Sequence, residues 1–356
     1  MKRLRSIGFS VVAAVLCIAV LWLATRLVVP KYDTGIVEGN LTAEYYQETT
    51  KHDVIFIGDC EVYETFSPIT LWEKYGITSY IRGNAQQLMW QSYSMLEDTL
   101  RTEKPKVVVL GVIGMKYDTP QKETYNRMTL DGMRWSAAKV GAIEASRMPN
   151  ESFVDYLFPL LRYHSRWSAL TASDLKYLFT RPKLFNNGYY MRVDVKPATT
   201  VLVGKKLPDY DFGANAYQYL DRIVQLCKDD GIELILNKAP VIYPYWYPEW
   251  DKQMVDYAAA HGIAYYNFLA EKDAIGIDLS TDTYDAGLHL NLSGVEKLST
   301  RLGAILSQDF GVPDRRSDAT LAADYAKKVA FYDAMRDRQL AEIAQYGHVL
   351  GFGPLK

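Results

Sequence analysis

The run KVVVLGVIG at residues 106–114 constrains the fold most. After its leading lysine it is apolar without alternation, so a strand built from it must be covered on both faces, as at the centre of a parallel sheet. Lys104 and Pro105 lead into it, and DVIFIG at 53–58 and IELILNKAPVIY at 232–243 repeat the pattern. Helix-like segments separate these runs, around Ile69–Lys74, from about Gln87 to Arg101, at AYQYLDRIVQLCKDD before Gly231, and from Trp250 to His261 before Gly262. Shorter strands are expected at Thr78–Ile81 and Ile263–Phe268. Strands alternating with helices imply an α/β chain with a doubly wound, mostly parallel sheet.

A chain of 356 residues is long for one core but suits one α/β domain with appendages. Residues 1–31 read as a cytoplasmic N-terminus and transmembrane anchor, and 32–52 as a polar stem. The sheet domain occupies 53–116 and 206–312. Between its halves, 117–205 lose the alternation; stretches such as DGMRWSAAKVGAIEASR and ESFVDYLFPLLRYHSRWSAL suggest a helical insertion or lid over the sheet edge. Residues 313–356 form a helical tail, amphipathic with Leu321, Tyr325, Val329, Tyr332 and Leu340 near one face.

The anchor follows from Lys2, Arg3 and Arg5, after which Ser6 to Thr25 carry no charge. About 20 apolar residues suffice to cross a bilayer, and the leading basic residues put the N-terminus in the cytoplasm and everything after Lys31 outside it. The segment exceeds a signal-peptide core and lacks a small-x-small cleavage site, and Leu16 ahead of Cys17 does not fit a lipoprotein signal. Forty basic against 42 acidic residues leave a net charge of −2, without the basic footprint nucleic acid requires. The 27 tyrosines and 7 tryptophans, clustered as in YPYWYPEW at 243–250, suit glycan stacking or simply a Tyr-rich core and surface.

Three cysteines make no disulfide framework. Cys17 lies in the anchor and Cys227 in a helical run as a small hydrophobe. Cys60 directly follows the first strand, in DVIFIGDCEVY, on the rim where doubly wound sheets bind ligands. A following helix would lower its thiol pKa and offer amides to an oxyanion, whereas Glu61 beside it would raise that pKa unless turned away. Of five histidines, His289 in YDAGLHLNLSG has Asp285 four residues earlier, and a carboxylate so placed can orient an imidazole base, with Asp282 the other candidate. The insertion's Arg127, Arg134, Arg162, His164 and Arg166 lie among aromatics, suiting anion or sugar binding or plain surface ion pairs. No spacing suggests a metal site, and no cofactor is expected.

Gly58-Asp59-Cys60, Gly83 in SYIRGNAQQ, VVVLGVIG, and Asp285 with His289 in DAGLHLNLSG occur in the block order of the SGNH/GDSL hydrolase superfamily, which the chain resembles over residues 53–115 and 215–312. The likeness is to its membrane-anchored bacterial branch, which includes proteins assisting O-acylation of envelope polymers. It implies a flavodoxin-like three-layer fold, with Cys60 in the place of the serine nucleophile, His289 as base, Asp285 as orienting acid and Gly83 as an oxyanion donor. Three departures stand out: Cys for Ser, a four-residue step from acid to His where the family has three, and no Asn in the block around Gly111–Gly114. Asn84 or Gln87 would then supply a side-chain donor. The implied function is an extracytoplasmic acyl-ester enzyme, foremost an O-acyl(acetyl)transferase acting on a cell-envelope or exported glycan, with a membrane-bound O-acyltransferase as acyl donor. An esterase or deacetylase of the same fold, and a catalytically inactive glycan-binding or assembly protein, remain open alternatives.

Overall fold

The computed structural model describes residues 2–30, 40–179, 186–200 and 202–350. An apolar helix α1 (Lys2–Val28) and a short α2 (Asn40–Tyr45) precede β1 (Val54–Gly58), α3 (Cys60–Tyr63), α4 (Pro68–Tyr75), β2 (Ser79–Gly83), α5 (Met89–Leu100) and β3 (Val107–Gly111). The insertion contributes α6 (Glu123–Leu130), α7 (Ala137–Ser146), α8 (Phe153–Leu157), α9 (Pro159–Tyr163) and α10 (Ala172–Phe179), with a 3-10 segment at His164–Ala169. Then come α11 (Ala214–Asp230), β4 (Glu233–Lys238), α12 (Pro248–His261), β5 (Ala264–Asn267), α13 (Lys272–Ile275), α14 (Leu292–Gln308) and α15 (Ala319–Tyr346).

The five strands are all parallel, in the order β2-β1-β3-β4-β5. In β1 and β3 successive side chains alternate between two buried faces, which is why these strands read as unbroken apolar runs. Val54, Phe56, Val107, Val109 and Ile235 enter one core with Leu71 of α4, Leu298 and Leu302 of α14 and Tyr332 of α15. Ile55, Ile57, Val108, Leu110 and Leu236 enter the other, with Leu96 of α5, Leu220 and Cys227 of α11 and Met254 of α12. Burying each large side chain contributes roughly 1.5–3 kcal/mol, so the central strands are the least replaceable part of the chain. The order reverses beside β1, which places a crevice beyond the carboxyl ends of β1 and β3.

Three glycines close those ends. Gly58 pairs with Gly83 across β1 and β2, and Gly111 ends β3 alongside. A Cβ on Gly58 or Gly111 would meet Val62 Cγ2 at 2.5 and 2.7 Å, and one on Gly83 would meet the Gly58 carbonyl at 2.9 Å. The row therefore lets α3 settle directly onto the strand ends. Gly83→Ala pushes against backbone that has nowhere to go and is expected to cost roughly 1–3 kcal/mol; urea unfolding of the purified protein measures it.

Three sequence expectations change. The second half of the polar stem is folded into the body: Leu41 and Tyr45 are buried, and the Tyr45 hydroxyl donates to Glu103 at 2.6 Å. The insertion does not simply cap the sheet edge; α7 packs on α5, sharing a small core of Met95, Leu130, Ala142 and Ile143. The tail buries Tyr325, Tyr332, Met335 and Gln339 and leaves Leu340 half-exposed. Position 340 lies one helical step, about 100°, past Gln339 and so turns off that face. Trp72 of α4 stacks on Tyr325 at 4.1 Å, fixing the tail to the sheet domain.

Candidate active site

Cys60 opens the single turn α3. Asp59 is the N-cap: its Oδ1 accepts from the Glu61 amide at 3.0 Å, and its carbonyl accepts from the Val62 amide at 3.0 Å. The Cys60 amide itself has no hydrogen-bond partner among the described residues, leaving a donor for an oxyanion beside the sulfur.

His289 comes from the loop between α13 and α14. Ala286 (φ 66°) and Gly287 (φ 97°) both adopt left-handed backbone, folding the four-residue step from Asp285 back on itself. The alanine does so against the usual preference, a cost of roughly 1–2 kcal/mol. Asp285 Oδ1 then accepts from the His289 amide at 2.8 Å while Oδ2 lies 2.6 Å from Nδ1, so one carboxylate fixes both the loop and the ring. Asp282 is turned elsewhere, toward Lys297 at 2.6 Å. His289 Nε2 is buried with no partner among the described residues.

Cys60 and His289 line one cavity of about 660 Å³, whose walls include Asp59, Glu64, Ala85, Gln86, Lys116, Arg192 and Tyr117, Tyr125, Tyr190, Tyr243 and Tyr284. Glu64, one turn after Cys60, faces the same imidazole, with Oε2 3.6 Å from Nδ1. The Tyr284 hydroxyl donates to Glu64 and sits 3.3 Å from Nδ1, its ring nearly parallel to the imidazole. Arg192, paired with Asp194 at 2.5 and 2.9 Å, lies over that tyrosine.

The electrostatics run against the sequence-based expectation for the thiol. With only four residues, α3 adds little dipole. Burial, then the Asp59 carboxylate whose Oδ2 is 3.9 Å from Sγ, push the Cys60 thiol up to about 11, although His289 pulls it down. Glu61, which was expected to oppose ionisation, is turned away: both its oxygens lie 3.0 Å from Lys238 Nζ. Asp59 itself is pushed up to about 7 by burial and by Glu61, against Lys116. For His289 burial acts downward, but Glu64, the Cys60 sulfur and the Asp285 hydrogen bond outweigh it and hold the imidazole well above its ordinary range. Burial also raises the Glu64 carboxyl, with His289 and the Tyr284 hydroxyl opposing. The site thus sets a thiol beside an imidazole that two carboxylates, Asp285 and Glu64, face.

Cys60, His289 and Asp285 are thus brought together, while the two expected oxyanion residues are not. The Asn84 amide donates to Thr42 at 3.1 Å and Gln87 at 3.2 Å, away from the cavity. The Ile81 amide donates outward to Asn187, so strand alternation turns the Gly83 amide to that outer edge too. Gly83 acts through close packing under Asp59 instead. Glu64 and Asp59 were missed; the signal for Glu64 was its i+4 position from Cys60, which puts both on one helix face. Among the described residues no group of three or more His, Cys, Asp or Glu side chains is placed to hold a metal ion. In comparisons with known proteins, no family model and no curated sequence matches the chain.

Proposed function

We propose that this chain is an acyl-ester enzyme of SGNH type, anchored by α1 with its sheet domain outside the cytoplasm. The observation that carries the reading is that Cys60 and an Asp285-bonded His289, its Nε2 unpaired, line one cavity beyond the carboxyl end of β1. In the forward step Sγ attacks the acyl carbonyl carbon and its proton passes to Nε2. The Cys60 amide faces the resulting oxyanion. Collapse breaks the ester bond, the leaving oxygen takes the proton from Nε2, and a thioester remains on Cys60. An acceptor hydroxyl then gives its proton to Nε2 and attacks the thioester; the C–S bond breaks and the departing sulfur takes that proton back from Nε2, restoring the thiol.

The tyrosine-lined cavity favours a sugar hydroxyl of an envelope or exported glycan as acceptor, since phenol rings offer flat apolar faces with a polar tip; with water as acceptor the same steps give an esterase. The N-terminal helix supports anchoring: Ile7–Val28 is long and apolar enough to cross a membrane. A membrane-bound O-acyltransferase is the proposed source of acyl groups. One observation favours a second reading, a glycan-binding protein without turnover: the Asp59 carboxylate lies 3.9 Å from Sγ and, with burial, opposes ionisation of the thiol. Incubation with p-nitrophenyl acetate followed by peptide mass spectrometry decides between them. An acetyl group on Cys60, absent in Cys60→Ala, supports catalysis; glycan binding without an adduct at any pH supports the second reading.

A further inference from the structure

The outer end of α1 does not leave the membrane alone. Its apolar window, Ile7–Val28, holds 22 residues; at about 1.5 Å per residue it spans about 33 Å, slightly more than the roughly 30 Å hydrocarbon core. Counting from Ile7, the outer boundary of that core falls near Arg26. At this level α9, the 3-10 segment and α10 pack against α1. Arg166 Nη1 donates to the Val28 carbonyl at 2.5 Å and Arg26 Nη2 to the Tyr177 carbonyl at 3.4 Å. Val28 is buried there, whereas α1 from Val15 to Leu23 is exposed throughout.

The same insertion elements, with Phe158 as the cap ahead of α9, expose large apolar side chains: Phe158 (56%), Leu161 (58%), Trp167 (54%), Leu175 (54%) and Phe179 (82%). Single exposed apolar residues are ordinary, but five along consecutive segments that pack against a membrane-length helix point to an interaction surface. The first of these elements, α9, is tied to the body of the protein through α6. Arg162 of α9 grips Glu123 of α6 at 2.5 and 3.0 Å. Asn126 of α6 joins Gln91 of α5 at 3.0 Å and the Ser146 carbonyl at 2.7 Å.

We propose that α9, the 3-10 segment and α10 form a platform lying in the outer leaflet, with these five side chains at the boundary between headgroups and acyl chains. Lipid is the occupant because the packing partner of these elements is the end of the span itself, which sets their depth wherever α1 is inserted. Trp167 suits that boundary, where aromatic rings collect, and an interfacial element binds by burying such a face roughly 5–10 Å deep. The platform would fix the site relative to the bilayer, since Tyr125 of α6 lines the cavity. This inference rests on α1 spanning the membrane, so its test reads the two separately.

The full chain is reconstituted into phosphatidylcholine vesicles carrying bromine either just below the headgroup or near the chain ends, and tryptophan emission is recorded with and without aqueous iodide. The part of the emission lost in Trp22→Phe reports α1, and deep or shallow bromine should quench it. The part lost in Trp167→Phe reports the platform; it should be quenched by shallow bromine and spared by iodide. A tryptophan introduced as Phe179→Trp on the Trp167→Phe background should behave like Trp167. If the Trp22 signal is quenched by lipid but the Trp167 and Phe179→Trp signals are quenched only by iodide, the platform stands in water and the proposal fails. If neither quencher reaches them, protein covers the face and lipid is the wrong occupant. If the Trp22 signal also escapes bromine, it is the spanning helix that fails.

Discussion

Cys60→Ala is expected to abolish the acyl adduct and to lower ester turnover by on the order of 10³-fold, with His289→Ala falling by a similar factor. The two act on one proton, so the double variant should be hardly worse than either single one. Asp285→Asn separates the two duties of its carboxylate. The amide oxygen can still accept from the His289 backbone, which keeps the loop folded, but the second oxygen, now 2.6 Å from Nδ1, becomes a donor facing a donor. The wrong imidazole tautomer is then favoured, and a loss on the order of 10²-fold in kcat with little change in unfolding midpoint is expected. Steady-state rates with p-nitrophenyl acetate, together with the O-acetyl content of polymer from cells carrying each variant, supply the measurement. Unchanged polymer acylation in Cys60→Ala would remove Cys60 as nucleophile whatever the model ester reports.

The strands β1 and β3 were legible because each is apolar on both faces. The run at 53–58 became Val54–Gly58 and that at 106–114 became Val107–Gly111. Less legible was whatever depends on pairing across the chain. Glu61 looked like an obstacle to the thiol because its partner, Lys238, lies 177 residues away at the end of an apolar strand. The stem looked solvated because Tyr45 and Thr42 carry polar tips that find partners only once Glu103, after α5, and Asn84, after β2, are in place. In the site, Asp285 and His289 were readable from their local sequence, but why a four-residue spacing brings them together was not. It depends on a left-handed Ala286, and alanine gives no sequence sign of such a backbone. Glu64 and Asp59 escaped attention for a different reason. A one-turn helix has no periodicity, so the i+4 step from Cys60 to Glu64 was the single local sign that a thiol and carboxylates would share its end.

Those two carboxylates make the pH behaviour the sharpest test of the chemistry. With the thiol near 11 and the imidazole held well above its usual range, both reactive forms, thiolate and neutral imidazole, become more populated as pH rises. The ester rate should therefore climb from neutral into the alkaline range rather than level off near pH 7. Asp59→Asn removes the negative charge 3.9 Å from Sγ and keeps the cap, because an Asn side chain accepts from the Glu61 amide as Asp does. The thiol should drop by on the order of one to two pH units, raising iodoacetamide alkylation at pH 8 by about ten- to a hundredfold, about tenfold for each unit. Alkylation reads Cys60 selectively, since Cys17 lies in the apolar helix and burial holds Cys227 at about 12. Glu64→Gln should act in the same direction on the thiol and also lower His289, while its amide oxygen still accepts from Tyr284. The alkaline limb of the ester rate then moves toward neutral in both variants. If alkylation accelerates in both variants and the ester rate stays at background at every pH, Cys60 has been given a thiolate without becoming a nucleophile for esters, and the binding reading takes its place.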